Sequence, residues 1–235
     1  MGHSVIFNLK KGDNLPNPSV IVRADTLVTL LGGGQHEPAD LADALRRAPV
    51  LVVADGGADR ALASGHRPRA VIGDMDSLGS AARAALDPRS IHHIDEQIST
   101  DFDKALRNIA APGVIAVGFT GRRIDHELSV YNTLVTRPEK TCVVLGSDDI
   151  AFHAPPEIAL TLPPGTRVSL FPLAPVRGRS TGLRWPIDPV DFRPWGQIGT
   201  SNEAVAPRVE MAFDGPGMLI ILPREMLDAA LEALI

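Results

Sequence analysis

Cysteine is all but absent from this sequence. A single residue, Cys142, among 235 cannot close an internal disulfide or build a thiolate zinc site, so a reducing compartment is expected. Its setting, Thr141-Cys-Val-Val-Leu145, reads as a buried strand in which the thiol is a small hydrophobe and not a nucleophile. Long apolar runs are missing too. Nothing approaches the roughly 18 residues of a spanning helix, so no membrane segment is expected. Residues 1–9 have no basic stretch ahead of their apolar ones, which stop at Lys10-Lys11; no signal peptide is read there, and a cytoplasmic location is expected. Basic excess and stacking rings are scarce, with a net charge of −5, two Trp, one Tyr and seven Phe. That argues against a nucleic-acid surface. No glycine-rich segment ends in Gly-Lys-Ser or Gly-Lys-Thr, which argues against an ordinary P-loop kinase.

What is present suits a folded globular chain, 44% hydrophobic and 22% charged, large enough to bury a core. Its 21 Gly and 20 Pro favour short elements joined by turns. Residues 5–9 can form a strand, and 12–18 are turn material. From residue 26 a rhythm sets in. Strands are expected at 26–31, 50–54, 70–72, 113–118 and 141–145, with helices at 39–47, 59–64, 80–86, 101–110 and 124–135. The run Val50-Leu-Val-Val-Ala54 is apolar on both faces, as in a buried parallel sheet. Alternating strand and helix predicts right-handed βαβ units and an open, mostly parallel sheet. Beyond residue 147 the helical period disappears. Short β segments at 158–162, 166–172, 208–213 and 218–222, broken by Pro and Gly, predict an antiparallel sandwich, and 225–234 a closing helix. Two domains follow, 1–147 and 148–235, with the first 25 residues unplaced.

Four polar clusters fall where strands end or helices begin. Asp55-Gly56-Gly57 follows the buried strand, and ligands of open parallel sheets bind at that edge; a capped turn is the structural alternative. In Gly73-Asp-Met-Asp-Ser77, Asp74 and Asp76 would point the same way if the backbone is extended. Adjacent carboxylates repel unless a cation lies between them, and Mg²⁺ suits a few carboxylates plus phosphate oxygens. Ser99-Thr-Asp-Phe-Asp-Lys104 opens a helix, where Thr100 and Asp101 can cap, hold a metal or sit beside phosphate. Gly118-Phe-Thr-Gly-Arg-Arg-Ile-Asp-His126 places Arg123, Asp125 and His126 at another helix start. Arg123 can neutralise phosphate, and Asp125 or His126 can accept a hydroxyl proton.

Taken in order, Ala54-Asp-Gly-Gly-Ala-Asp59, Gly73-Asp-Met-Asp-Ser77, Ser99-Thr-Asp-Phe102 and Gly121-Arg-Arg-Ile-Asp-His126, then Thr181-Gly-Leu-Arg-Trp-Pro186 and Gly199-Thr-Ser-Asn202, resemble the thiamine pyrophosphokinase (thiamine diphosphokinase) family. The resemblance implies a Rossmann-like α/β domain followed by a β-sandwich. It implies transfer of a pyrophosphoryl group from ATP to the hydroxyethyl oxygen of thiamine, releasing AMP. By the same resemblance Asp74, Asp76 and Asp101 would hold Mg²⁺. Asp55, Gly56, Gly57, Thr100 and Arg123 would line the nucleotide, and Arg123, Asp125 and His126 would face thiamine. Family members bind thiamine between two subunits, which implies a homodimer with Trp185, Ser201 and Asn202 approaching from the second copy. An indole face suits a cationic aromatic. The sequence departs from the family at Ile98, where an acidic residue is usual, so that one metal or substrate contact is either missing or supplied by Asp95 or Glu96, and at Arg122, where a glycine is common. Two other readings use the same aspartates. A metal-dependent phosphoesterase would activate water with them, but has no need of the Trp185 and Thr200-Ser201-Asn202 segments. A non-catalytic thiamine or nucleotide binder is favoured only by Ile98.

Overall fold

Short aliphatic runs leave their backbone groups unpaired until they meet another strand, and here they are brought together by intervening helices. The computed structural model describes residues 20–121 and 123–235; the expectations at 5–9, 12–18 and Arg122 lie outside them. Strands β1 (Val22–Arg23) and β2 (Val28–Leu31) lead to α1 (Pro38–Arg47), β3 (Val50–Ala54), α2 (Gly57–Ala63), β4 (Ala70–Gly73), α3 (Ser80–Ala85) and β5 (Ile91–His93). Then come α4 (Asp101–Arg107), β6 (Ile109–Ala110), β7 (Val114–Val117), α5 (Ile124–Thr136) and β8 (Cys142–Leu145). Helix α1 starts where its chemistry dictates, with Pro38 in the first turn and the Asp40 carboxylate accepting the Glu37 N–H at 2.8 Å.

The remaining strands are β9 (Asp149–His153), β10 (Glu157–Thr161), β11 (Arg167–Pro172), β12 (Val176–Thr181), β13 (Val190–Phe192), β14 (Gly199–Glu203), β15 (Arg208–Phe213) and β16 (Met218–Pro223), and α6 (Leu227–Leu234) follows. Strands β2, β7 and β8 are parallel, in the register Val28–Val114 and Val114–Cys142. Beside β2 lies the parallel set β3, β4, β5, tied to it by a bridge between Val28 and Pro49. At β8 the direction reverses: Leu145 pairs with Ile150 in an antiparallel β8–β9 ladder. The seven-stranded sheet β14-β11-β16-β9-β8-β7-β2 is therefore mixed, and it continues through the change of rhythm near residue 147. A separate antiparallel sheet, β10-β15-β12-β13, packs against one face. On that side Leu145, Phe152, Leu160, Leu170, Ile220 and Leu231 share one core. A second core lies under α4 and α5, among Phe102, Leu106, Val130, Leu134 and Val144.

Two differences from the sequence expectations have local causes. The helix expected at 101–110 stops at Arg107, because Ile109–Ala110 pairs with Val22–Arg23 as a parallel two-stranded ribbon. Strands β5, β9, β12, β13 and β14 were not expected. They are short or carry charged and small residues, as in Val176-Arg-Gly-Arg-Ser-Thr181, where only one face is buried.

Phe152 is fully buried on β9, at the seam between the parallel and antiparallel parts. Phe152→Ala should cost about 3–5 kcal/mol, measured by urea unfolding. A loss below about 1 kcal/mol would show that Phe152 contributes little to the packing of its core.

Candidate active site

The carboxyl ends of β3 and β4 and the first residue of α4 face one another. There the carboxylates of Asp55, Asp74 and Asp101 each offer an oxygen, and these oxygens lie within 4.8 Å of one another. Asp55 follows β3 with φ 30°, a left-handed backbone that Asp tolerates better than most residues. Its Oδ2 accepts the Ser77 N–H at 2.9 Å. Its Oδ1 is buried and has no hydrogen-bond partner among the described residues. Gly73 makes the approach possible, since a Cβ there would lie 2.8 Å from the Asp55 Cβ and 3.1 Å from Asp101 Oδ1.

Asp76 is not one of the three. Met75 has φ 64°, so the backbone between the two aspartates turns and the expected same-side alternation does not occur. Asp76 is exposed, and its N–H donates to Asp74 Oδ1 at 3.3 Å. Gly56 and Gly57 serve the chain itself: a Cβ on Gly57 would meet Leu31 O at 2.7 Å, and one on Gly56 would meet the Ser77 Cβ at 3.1 Å.

A residue that the sequence reading passed over completes the cluster. Lys104, 1% exposed, donates to Asp74 Oδ2 and to Asp101 Oδ1, each at 3.1 Å. Its spacing of three from Asp101 on a helix was the available signal. Burial pushes the Asp74 carboxyl up, but the Lys104 hydrogen bond, the Asp76 N–H and the Lys104 charge together outweigh it and hold the group below its ordinary value. Burial lowers the Lys104 ammonium, and its bonds to Asp74 and Asp101 more than reverse that. Asp55 is moved the other way. Burial raises its carboxyl, the Ser77 N–H opposes, and the charges of Asp101, Asp74 and Asp76 add to the rise. One buried oxygen without a partner, among three hard oxygen donors, fits a divalent cation.

Thr100 caps α4, its hydroxyl accepting the Asp103 N–H at 3.3 Å. Behind it, buried Asp103 binds Arg107 and Arg137, tying α4 to α5. Glu96, one candidate to replace the acid missing at Ile98, pairs with Arg107 at 2.9 Å; Ile98 itself is exposed. Arg123 and Asp125 form an exposed pair at 2.6 Å where α5 begins, and the Arg123 hydrogen bond holds the Asp125 carboxyl below the ordinary range. His126 is exposed beside them.

The last three candidates lie elsewhere. Trp185 is 60% exposed, with the Arg184 guanidinium 5.8 Å from its ring. Asn202 is buried and committed to the chain: its Oδ1 accepts the Trp185 N–H at 3.2 Å, and its Nδ2 donates to Trp185 O at 2.7 Å. Ser201 has φ 61°, and its N–H donates to the buried Ser169 hydroxyl at 3.0 Å. The structure therefore gathers Asp55, Asp74 and Asp101 into one cluster with Lys104, and Trp185, Ser201 and Asn202 into another around β14.

Residues 41–145 match the family model described as the thiamin pyrophosphokinase catalytic domain. Curated relatives agree. Thiamine pyrophosphokinase 1 of Arabidopsis thaliana is 28% identical over 71% of this chain and 75% of its own length. Thiamine pyrophosphokinase 1 of Oryza sativa subsp. japonica is 26% identical over 91% and 94%. Over this segment the chain is similar to the thiamine pyrophosphokinase family. The fold is also that of the solved thiamin pyrophosphokinase from Candida albicans, with TM-score 0.70 at 17% identity over 85% of this chain and 89% of that one. The family match at 41–145 contains all three convergent aspartates and Lys104 and stops short of Trp185. No described helix is long and apolar enough to cross a membrane.

A carboxyl whose pKa is raised in the folded state binds its proton more tightly there. It favours folding at low pH, and that contribution is lost as pH rises from the ordinary carboxylate range through the raised value. Asp55 is so placed, so above the ordinary carboxylate range it costs the metal-free fold stability. In chelator at pH 7, Asp55→Asn should melt above the parent, with the gap closing toward low pH. MgCl2 should stabilise the parent and leave Asp55→Asn unmoved. Equal melting of the two in chelator across that pH range would contradict this electrostatic assignment.

Proposed function

We infer that the chain is a thiamine diphosphokinase, transferring the pyrophosphoryl group of ATP to the hydroxyl of thiamine to give thiamine diphosphate and AMP. The observation that carries this reading is the convergence of Asp55, Asp74 and Asp101, with one buried Asp55 oxygen left open, inside the segment that matches the catalytic-domain family. These three aspartates, with Asp76 beside them on the same turn, are proposed to hold Mg²⁺. Bound there, the ion would neutralise charge on the ATP phosphates as AMP leaves. Asp55, Gly56, Gly57, Thr100 and Arg123 form the proposed nucleotide side. Asp125, kept ionised by Arg123, would accept a hydrogen bond from the thiamine hydroxyl and orient it, with His126 adjacent. The phosphoesterase reading has no observation in its favour that this one lacks, and the simple-binder reading has only Ile98, against the intact aspartate cluster.

For the acceptor we propose the Trp185 face, an aromatic plane suited to a heteroaromatic cation, together with Ser201 and the backbone that Asn202 holds. We propose a homodimer with composite sites, and the strand order supports it. Trp185 is tied to β14, at one end of the seven-stranded sheet, whereas Asp55 follows β3, beyond β2 at the other end. Six strand spacings of about 4.8 Å separate β14 from β2, roughly 29 Å, so a second copy is the economical source of the indole. We also propose a functional division near residue 147, a Rossmann-like part at 1–147 for ATP and cation and a β-sandwich part at 148–235 for thiamine.

In a single turnover with ATP, Mg²⁺ and thiamine, AMP should appear in equal amount to thiamine diphosphate. Release of ADP, or of phosphate without thiamine, would sink the assignment. Asp101→Asn should lower turnover by at least about 100-fold while the far-UV CD spectrum is unchanged. An Asp101→Asn chain mixed with a Trp185→Ala chain should regain activity, because one site of the mixed dimer keeps both intact halves; no recovery after confirmed subunit exchange would place each site within one chain.

A further inference from the structure

We propose that Lys104 is the positioning residue of the carboxylate cluster, holding Asp74 and Asp101 at the separation and rotation that a small divalent cation requires. The proposal rests on the cation part of the function inferred above. Its ammonium is enclosed, with the side chain 1% exposed, and bonds one oxygen of each aspartate at 3.1 Å. Asp74 Oδ1, which accepts the Asp76 N–H at 3.3 Å, and Asp101 Oδ2 are the two oxygens that Lys104 does not bond. Asp55 contributes the buried Oδ1 that has no partner among the described residues. The arrangement spans the fold. Asp101 lies one helical turn before Lys104 on α4, whereas Asp74 comes from the end of β4, thirty positions earlier in the chain. Of these bonds, the one to Asp74 ties that turn to the helix, and nothing else on Lys104 can reach water in exchange.

A bare counter-charge and a positioning residue make different demands. For charge alone, any cationic side chain would serve. For position, the compact ammonium matters, because Arg presents a longer, planar fork to the same two carboxylates. Mg²⁺ demands near-ideal octahedral geometry, whereas Ca²⁺ accepts irregular sets of oxygens at longer distances. Displaced carboxylates should therefore penalise Mg²⁺ far more than Ca²⁺.

The test follows thermal unfolding of the full chain in MgCl2 or CaCl2 titrations, without ATP or thiamine, for wild type, Lys104→Arg and Lys104→Met. In both variants the Mg²⁺ concentration giving half-maximal stabilisation should rise about tenfold or more, as for other groups that orient metal ligands. The Ca²⁺ midpoint should move by less than about threefold, since its coordination tolerates irregular ligand positions. An unchanged Mg²⁺ midpoint in Lys104→Arg would reduce Lys104 to a counter-charge, and a lower midpoint in Lys104→Met would make it a competitor of the cation; either result overturns the proposal. Should Lys104→Met not fold, Lys104→Arg carries the test, since it keeps charge and donors. Failure of both to fold while Asp101→Asn folds would assign Lys104 to the fold alone and also overturn it. No Mg²⁺ response in wild type would remove the cation reading and this proposal together, whereas a wild-type response matched by both variants removes only the role of Lys104.

Discussion

Negative charge gathered at one edge of the sheet is the constraint on which the site depends. Carboxylate oxygens within 4.8 Å of one another repel by roughly 3 kcal/mol per ionised pair at an effective dielectric near 20. Three such groups persist together only because something opposes the repulsion. Lys104 does so for Asp74 and Asp101, and the buried position of Asp55 raises its carboxyl instead. The two answers differ in kind. One adds a fixed positive charge; the other makes ionisation itself harder, and leaves a buried oxygen with no partner among the described residues. Gly73 is the steric condition for both, since any side chain there would push Asp55 and Asp101 apart.

Parallel strands explain why the charges meet. Strands β3 and β4 are neighbours in register, Ala54 beside Ile72, so the residues after each must emerge at the same edge. Helix α4 packs over both strands through Phe102, Ala105 and Leu106, which brings Asp101 and Lys104 down onto that edge. The same helix is braced from behind by Asp103 with Arg107 and Arg137. A buried ionic cluster of this kind contributes little net stability compared with apolar packing, but breaking it by halves is costly. Its use here is to set the angle at which α4 presents Asp101.

The regular α/β rhythm was legible because period and length agree: Val50-Leu-Val-Val-Ala54 is a strand to the residue. The aspartates were legible as types at strand ends. Their geometry was not. Alternation by twos presumes an extended backbone, and Met75 at φ 64° replaces Asp76 with Asp55 as the third convergent group. Lys104 escaped notice for a related reason: a lysine on an amphipathic helix ordinarily faces water, and only the tertiary fold encloses this one. In the second half, β12 and β14 were missed because polar strands such as Gly-Thr-Ser-Asn-Glu203 are specified by their neighbours' hydrogen bonds and not by their own hydrophobicity. The reversal at β8–β9 likewise leaves no mark in composition, although it joins both halves in one sheet.

Around Trp185 the same distinction between residue type and placement decides the chemistry. Asn202 looks from sequence like a substrate contact, yet both ends of its amide are spent on the Trp185 backbone. A buried amide satisfied on both sides is a rigid clamp, and breaking it would strand polar atoms at a cost of about 1–3 kcal/mol. Its consequence is that the backbone carrying the exposed indole keeps a defined position. The Arg184 guanidinium near that ring, itself paired with Glu203 at 2.7 Å, already supplies the kind of partner the indole face attracts. On the proposed acceptor role, a cationic aromatic would exchange one cation–π contact for another. The net gain is therefore smaller than the contact itself, and selectivity must come from shape and from whatever closes over the opposite face of the ring.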